Sequence, residues 1–560
     1  MNDRPGIDWV QEHRNAAARE AALALTLPPP DGLQTVAYTS AGNTLVVGPA
    51  EPALKCADQL CGVLPVTVLL TGTAPQGAPL PLRSYEVFPC SELELGGWLG
   101  AFEARWRDAG RGLLRREGRF DLVLDLSDAP LIDAHQKPHG YFAPGAGDAA
   151  VADAIDNLAQ MIGEFEKPKY FRYKERLCAH SRNRQAGCTA CIDICSARAI
   201  ASSGDLVRVN PYLCAGCGAC TTVCPSGALA YAYPGAPYTG ERLRTVLAGY
   251  KREGGIDPVV LFHGPGQGAS LVSLLHASSA EGPAAGMPAR VIPMQLHHMA
   301  STGIDVWLSA IAYGASGVSI LVTEEEAPQY AGALDDQMGM AQEILTALGY
   351  AGVHFQLVRA RSAGDLGEAL AAAPGGVAPL QVATFHLAQE KRNALDMALD
   401  HLYRHATLKP ANVPLPPASP FGAILVDKAR CTLCMSCVGS CPSSALMDSD
   451  GAPQLRFVEK NCVQCGLCAN TCPEDAITLA PRMSFADTWN KAVVLNETEP
   501  FCCIRCNKPF GTLLMIQSML GKLAQHSAFQ GNLDRIRMCG DCRVIDMMQS
   551  QPPDGAGNFR

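Results

Sequence analysis

Apolar positions along the chain fall into alternating short runs and longer stripes. Thr44-Leu-Val-Val47, Val66-Thr-Val-Leu-Leu70 and Phe120-Asp-Leu-Val-Leu-Asp125 are short and largely apolar. Such runs predict strands covered on both faces of a sheet. Glu51 to Leu60 reads as a helix between the first two. Residues 1–30 read as an amphipathic helix ended by Pro28-Pro29-Pro30. Ile155, Leu158, Ile162 and Phe165 mark one face of a further helix leading into Lys167-Pro168. The alternation returns at residues 240–400, with strands at Val259–Phe262, Arg290–Pro293, Val318–Val322 and Val353–Val358. Between them lie helices from Ile304 to Tyr313 and along Tyr330, Leu334, Met338, Ala341, Leu345 and Leu348. Strand alternating with helix predicts parallel sheets with right-handed crossovers.

Two stretches interrupt this pattern and replace hydrophobic period with cysteine period. Cys462, Cys465, Cys468 and Cys472-Pro473 follow C-x2-C-x2-C-x3-C-P, the ferredoxin run that holds [4Fe–4S] clusters. The run recurs at Cys431, Cys434, Cys437 and Cys441-Pro442, and at Cys214, Cys217, Cys220 and Cys224-Pro225. Three thiolates of a run hold one cube and the fourth serves a neighbouring one, so runs work in pairs. The run at Cys214 finds its partner in Cys178, Cys188, Cys191 and Cys195, where nine residues separate the first two cysteines and Ser196 replaces the proline. By this pattern Cys178, Cys188 and Cys191 share a cube with Cys224, and Cys214, Cys217 and Cys220 share one with Cys195. Sixteen cysteines predict four [4Fe–4S] clusters. His180, inside the long gap, is expected to donate a hydrogen bond near cluster sulfur, since Cys178 already supplies the ligand.

The tail carries Cys503-Ile-Arg-Cys506 and Cys539-Gly-Asp-Cys542, flanking a helical stretch from Leu513 to Leu523. Two such knuckles predict a closed four-thiolate site, with zinc favoured over a single iron. Cys502 is an alternative to Cys503 there. Cys56, Cys61 and Cys90 lie in no motif and are expected to be buried small hydrophobes.

The expected architecture is therefore α/β plus α+β. Two α/β parallel-sheet domains (1–165 and 240–405) alternate with two dicluster ferredoxin-like units (166–235 and 421–485). A proline-rich, semi-rigid linker at 406–420 precedes the second unit, and a C-terminal four-cysteine zinc-binding segment at 486–550 follows it. Length agrees, because 560 residues exceed what one core supports. Net charge of −9 argues against nucleic acid as a partner. Twenty-four cysteines in C-x2-C groups point to metal chemistry in a reducing compartment rather than to disulfides. No leader and no run of some eighteen apolar residues stands out, so a cytoplasmic protein with no membrane span is expected.

Other chemistry is weaker. Gly48 and the loop His263-Gly-Pro-Gly-Gln-Gly268 follow strands, where α/β folds bind ligands, but neither matches a flavin or NAD fingerprint. His297-His298 and Glu324-Glu325-Glu326 also follow strands and are expected to be surface residues at loop tips. Residues 166–176 are dense in basic and aromatic side chains, suited to steering an acidic partner or to packing on the ferredoxin fold.

With these motifs in place, the chain resembles the multi-cluster ferredoxins associated with bacterial formate dehydrogenases. The resemblance rests on Gly163–Tyr170, Leu177–Arg182, Gly187–Cys195, the second cysteine pair and the two tail knuckles. It implies electron transfer to or from a formate dehydrogenase or related oxidoreductase, or assistance to one as a maturation factor. Residues 258–360 look like the delta subunit of methyl-viologen-reducing hydrogenases without its cysteines. The expected role is an electron carrier or non-catalytic oxidoreductase subunit, with no catalytic acid, base or nucleophile. A maturation factor and a flavin- or NAD-linked oxidoreductase subunit are the rival readings.

Overall fold

The computed structural model describes residues 9–30, 32–72, 83–108, 114–145, 147–278, 286–524 and 533–549. Residues 1–8 of the expected opening helix, and 525–532 and 550 of the tail segment, lie outside them. The architecture is mixed α/β, with two regions of ferredoxin type and a C-terminal group of four cysteines.

The N-terminal sheet has seven strands. Thr44–Gly48 is an interior strand, parallel to Val66–Leu70 on one side and to Leu122–Asp125 on the other. Every residue of Thr44–Gly48 and Leu122–Asp125 is buried, as their apolar runs require. Beyond Val66–Leu70, Glu86–Gly96 continues the parallel set, and Phe102–Asp108 and Leu114–Phe120 extend it as antiparallel strands. The helix expected to run to Phe165 stops early. It spans Asp148–Ala159, and Gly163–Pro168 is a strand paired antiparallel with Thr35–Ser40. Gly163 adopts a φ of 124°, and the backbone partners offered by Thr35–Ser40 outweigh the helical spacing of Ile162 and Phe165.

The second sheet is wholly parallel, in the order Val291–Gln295, Val259–His263, Gly317–Val322, Phe355–Arg359. Helix Pro328–Ala347 buries the predicted stripe, with Tyr330, Leu334, Met338, Ala341 and Leu345 inside. The core of this domain reaches further than its own sequence. Ala18 and Ala22 of helix Trp9–Leu23 enter it, held by Glu12 accepting from the Ala289 amide (2.7 Å) and Arg19 donating to the Pro288 carbonyl (3.1 Å). Val413 and Leu415 of the proline-rich segment, and Phe421 directly after it, enter it from the other direction. That segment is no free spacer. Asn412–Pro414 pairs with Ile477–Ser484, which also pairs with Gly422–Val426. The linker is thus woven into both the α/β core and the second ferredoxin unit, which fixes how the two sit.

Each ferredoxin unit is built from short antiparallel strand pairs and one-turn helices. The first has Phe171–Tyr173 against Leu229–Tyr231 and Ile200–Ser203 against Leu206–Val209. The second has Gly422–Val426 against Ile477–Ser484 and Leu446–Met447 against Gln454–Phe457. In the tail, hairpin Pro500–Cys502/Pro509–Thr512 leads into helix Leu513–Leu523, and Gly540–Gln549 closes the segment. No helix among the described residues is long and apolar enough to cross a membrane.

Candidate metal and cluster sites

The regular runs share one local geometry. Two residues after the first cysteine, Gly216, Leu433 and Gln464 are left-handed, and directly after the second cysteine Gly218, Met435 and Gly466 are left-handed too. These turns wrap the backbone around the sulfurs. The third cysteine then sits in a one-turn helix: Cys220 in Ala219–Val223, Cys437 in Ser436–Ser440, Cys468 in Leu467–Thr471. Backbone amides four residues beyond the fourth cysteine donate to its sulfur, Ala445 to Cys441 and Ala476 to Cys472, both at 3.3 Å. Such donors stabilise electron-rich sulfur and tune a cluster.

The irregular run reaches the same end by another path. Its nine-residue gap folds as hairpin Ser181–Arg182/Gln185–Ala186, turned by Asn183 and Arg184 with φ of 51° and 66°. Positive φ at both central positions is the signature of a type I′ turn. The hairpin returns the chain to where it left, with the Cys188 amide donating to the Ala179 carbonyl (2.8 Å), so Cys178 lies beside Cys188. Downstream the ferredoxin geometry resumes. Cys191 sits in the one-turn helix Ala190–Asp193, and the Ala199 amide donates to Cys195 sulfur at 3.3 Å despite Ser196. His180 does not reach sulfur. Its ring bonds the Cys188 carbonyl (3.0 Å) and Ser202 Oγ (2.8 Å), locking the hairpin onto the unit.

The sixteen cysteines group into four sets across the runs. The thiols facing Cys191 are Cys224, Cys188 and Cys178, and these four ring a cavity of about 20 Å³. Those facing Cys220 are Cys217, Cys214 and Cys195. In the second unit Cys437 faces Cys434, Cys431 and Cys472, again around a cavity of about 20 Å³, and Cys468 faces Cys462, Cys465 and Cys441. Burial, then neighbouring thiols, pushes Cys191, Cys437 and Cys468 up to about 12. Four thiolates crowded in an apolar pocket need positive charge between them, which the iron of a cube supplies. The residues therefore fit the group.

The units also meet. Leu467 of the second packs where a Cβ on Gly187 would stand (2.8 Å), and Asn470 donates to the Ala186 carbonyl (3.0 Å). Cys465 lies within electrostatic reach of Cys188, and Cys220 within reach of Cys191. Cys468 likewise feels Cys437, so the four sets form a series: Cys195/214/217/220, Cys178/188/191/224, Cys441/462/465/468, Cys431/434/437/472. Buried or half-buried cations border the first three. Lys167 donates to the Cys214 carbonyl (2.9 Å), Lys391 to that of Cys224 (3.3 Å) and Arg392 to that of Cys462 (3.1 Å). Burial brings Lys167 down to about 8, with Cys214 drawing it back. The basic stretch 166–176 thus serves packing at this position, and Tyr170 stacks on His297 at 5.1 Å between ring centres.

The tail group is tighter. Cys503, Cys506, Cys539 and Cys542 present sulfurs all within 4.8 Å of one another, and Cys506 and Cys539 sulfurs are 3.6 Å apart. A tetrahedral zinc with bonds near 2.3 Å separates its sulfurs by about 3.8 Å. Among the described residues no other group of three such ligand atoms is as compact, which sets this single-ion geometry apart from the sixteen ferredoxin cysteines. Cys502 is exposed and outside the group. The tail leans on the second unit, with Thr512 Oγ1 donating to the Thr432 carbonyl at 2.7 Å, between Cys431 and Cys434.

Several sequence candidates resolve otherwise. His297 and His298 are no loop-tip pair. His298 is half-buried, its Nδ1 accepts from the Ala300 amide (3.1 Å), and burial, then His297 and His135, pushes it down to about 4. Glu325 caps helix Gln267–Ser278 by accepting from the Gln267 amide at 3.1 Å, occupying the helix end where a phosphate would bind. Leu126 fills the approach to Gly48, 2.8 Å from where a Cβ would stand. Cys56 and Cys90 are buried, whereas Cys61 is half-exposed on its helix end. Lys391, Arg392 and Tyr330, whose hydroxyl meets Cys217, were not singled out by motif.

Comparison with known families agrees with the two ferredoxin regions. A model described as a 4Fe-4S dicluster domain matches residues 430–477, and one described as a 4Fe-4S binding domain matches residues 206–229. No curated protein matches the chain. Two iron–sulfur binding regions are present.

Proposed function

We propose that this protein is an electron carrier holding four [4Fe–4S] clusters, one in each cysteine set, with a structural zinc in its tail. When bound, each cube stores and releases one electron, and the chemistry is the cofactor's own. The protein's residues do the rest. Fifteen of the sixteen cysteines come from C-x2-C steps or their fourth position in regular or resumed ferredoxin loops, and Cys178 is returned to its set by the hairpin. The observation that carries the reading is the contact of the two units at Gly187–Leu467 and Ala186–Asn470, which brings Cys465 within electrostatic reach of Cys188 and supports one series across two pairs of sets. A maturation factor needs one delivery site and gains nothing from such a series. Unpaired cysteines throughout suit a reducing compartment.

A formate dehydrogenase is the proposed redox partner, on the strength of the resemblance along Gly163–Cys195 and the tail knuckles. The test begins with the protein reconstituted anaerobically. It should saturate at about sixteen irons and sixteen sulfides and accept about four electrons from dithionite. Mixed with a purified formate dehydrogenase and formate, it should then become reduced without a mediator. Uptake of about two electrons at saturation would sink the four-cluster reading. Full uptake with no reduction by formate would leave the carrier and remove this partner.

A further inference from the structure

The α/β domain spanning 240–405 has no cysteine of its own, yet its side chains reach three of the four sets. Tyr330, from the first turns of helix Pro328–Ala347, hydrogen-bonds the Cys217 sulfur and is itself tied to Ser196 Oγ. Lys391 and Arg392 open helix Lys391–His405. Lys391 is half-buried and donates to the carbonyls of Thr221, Thr222 and Cys224. Arg392 is half-buried too and donates to the carbonyls of Pro420 (3.1 Å), Lys460 (2.8 Å) and Cys462 (3.1 Å). The fit is close on the other side as well, since a Cβ on Gly218 would stand 2.6 Å from Ser301 of this domain.

We infer that this domain is a redox-tuning element, and that Tyr330, Lys391 and Arg392 are positioning residues which raise the potentials of three sets selectively. The inference rests on the four-set reading above. A cluster gains negative charge on reduction, so a donor to its sulfur or a nearby buried cation stabilises the reduced form. The effect is strengthened here because Tyr330 is buried and Lys391 and Arg392 are half-buried, so less water screens them than at the surface. Carboxyls temper it. Asp305 faces Lys391, but burial pushes its carboxyl up toward the neutral form. Asp396 faces Arg392 and is shared with Lys460, whose Nζ lies 2.8 Å away, leaving a positive balance. The Cys431/434/437/472 set differs. Among the described residues its carbonyls receive Asn496 (3.5 Å, to Cys431) and no buried or half-buried cation, and Cys434 is exposed.

The test is an EPR-monitored redox titration of the reconstituted full chain, with iron counted in each sample. Tyr330→Phe and Lys391→Met should each move one component to lower potential, and not the same one. The expected shift is at least tenfold in the reduction equilibrium, which for one electron is about 59 mV. Tyr313→Phe removes a hydroxyl bonded to the Phe385 carbonyl in the same domain and should move none. Should Lys391→Met fail to fold, Tyr330→Phe still decides, because it removes one oxygen and no charge. Full iron with unmoved potentials overturns this inference alone, as does a uniform shift of all components. An unsubstituted chain that saturates at half the iron overturns the four-set reading and this inference with it.

Discussion

Replacing Cys178 with alanine should leave a chain that saturates at about twelve irons instead of about sixteen. The hairpin makes this residue decisive. Cys178 is buried, its neighbours are Cys188, Cys191 and Cys224, and no free thiol stands near enough to take its place. His180, the nearest alternative ligand by sequence, is committed on both ring nitrogens, to the Cys188 carbonyl and to Ser202. The loss should be confined to one set, because Cys195 belongs to the neighbouring group with Cys214, Cys217 and Cys220. Iron and sulfide analysis after anaerobic reconstitution reads the effect directly. Losing the Cys178/188/191/224 set also breaks the series between the units, so exchange with a slow acceptor should become biphasic. A variant that still saturates at about sixteen irons would show that Cys178 is no ligand.

Much of the site was legible because its spacing is its chemistry. A C-x2-C-x2-C-x3-C run places sulfurs by covalent geometry and a few left-handed residues, with little help from the rest of the fold. Gly216, Gly218 and Gly466 declare such positions in the sequence, whereas Leu433, Met435 and Gln464 adopt them without announcing it. The strands were legible for a similar reason. Thr44–Gly48, Val259–His263 and Gly317–Val322 are buried on both faces, and only apolar runs satisfy that. Periodicity misled where two codes overlapped. Ile162 and Phe165 fit a helix face, but the three residues from Met161 to Gly163 turn the chain into an antiparallel partner for Thr35–Ser40. Proline content misled at 406–420 because PPII and edge-strand residues look alike, and the pairing of Asn412–Pro414 is set by Ile477–Ser484, far along the chain.

What surrounds the sets was not legible by motif, since it depends on tertiary contact. Tyr330 hid in an apolar stripe, where an aromatic at helical spacing reads as core. Lys391 and Arg392 did leave a trace. Two cations at the start of a helix oppose its macrodipole, a placement that costs stability unless something else needs the charge. The carbonyls around Cys224 and Cys462 are that need. The sequence signal for a tuning residue is therefore a local rule broken without local compensation.

Changing Cys506 to serine should abolish metal binding by the tail and unfold it. In small four-thiolate sites the binding free energy is largely folding free energy, about 10–16 kcal/mol for zinc-finger peptides at neutral pH. Beyond the cysteines, the described tail is held by single buried side chains such as Ile516 and Ile536 and by ion pairs such as Arg535–Asp546. Its own core is Cys503, Cys539 and Cys542 with Phe510 and Met538, too small to stand without an ion. Burial pushes the Cys503 thiol up, but amide donors from Cys539, Arg505 and Cys506 outweigh it and bring it down to about 6, toward the thiolate a metal requires. Metal analysis of the unsubstituted chain should find one zinc that survives oxidative bleaching of the iron–sulfur chromophore, because zinc has no redox chemistry. Rubredoxin-like absorption there would instead assign iron. The Cys506→Ser chain should lose that zinc and become cleavable by protease within 500–549, with about sixteen irons still bound under nitrogen. Its behaviour in air should differ. Thr512 buries the Thr432 carbonyl inside the loop that carries Cys431 and Cys434, so an unfolded tail uncovers the most exposed cysteine set. About a quarter of the iron–sulfur absorbance should then bleach faster than in the unsubstituted chain, the share of one set in four. A tail that loses zinc yet bleaches at the original rate would separate the metal site from any protective role.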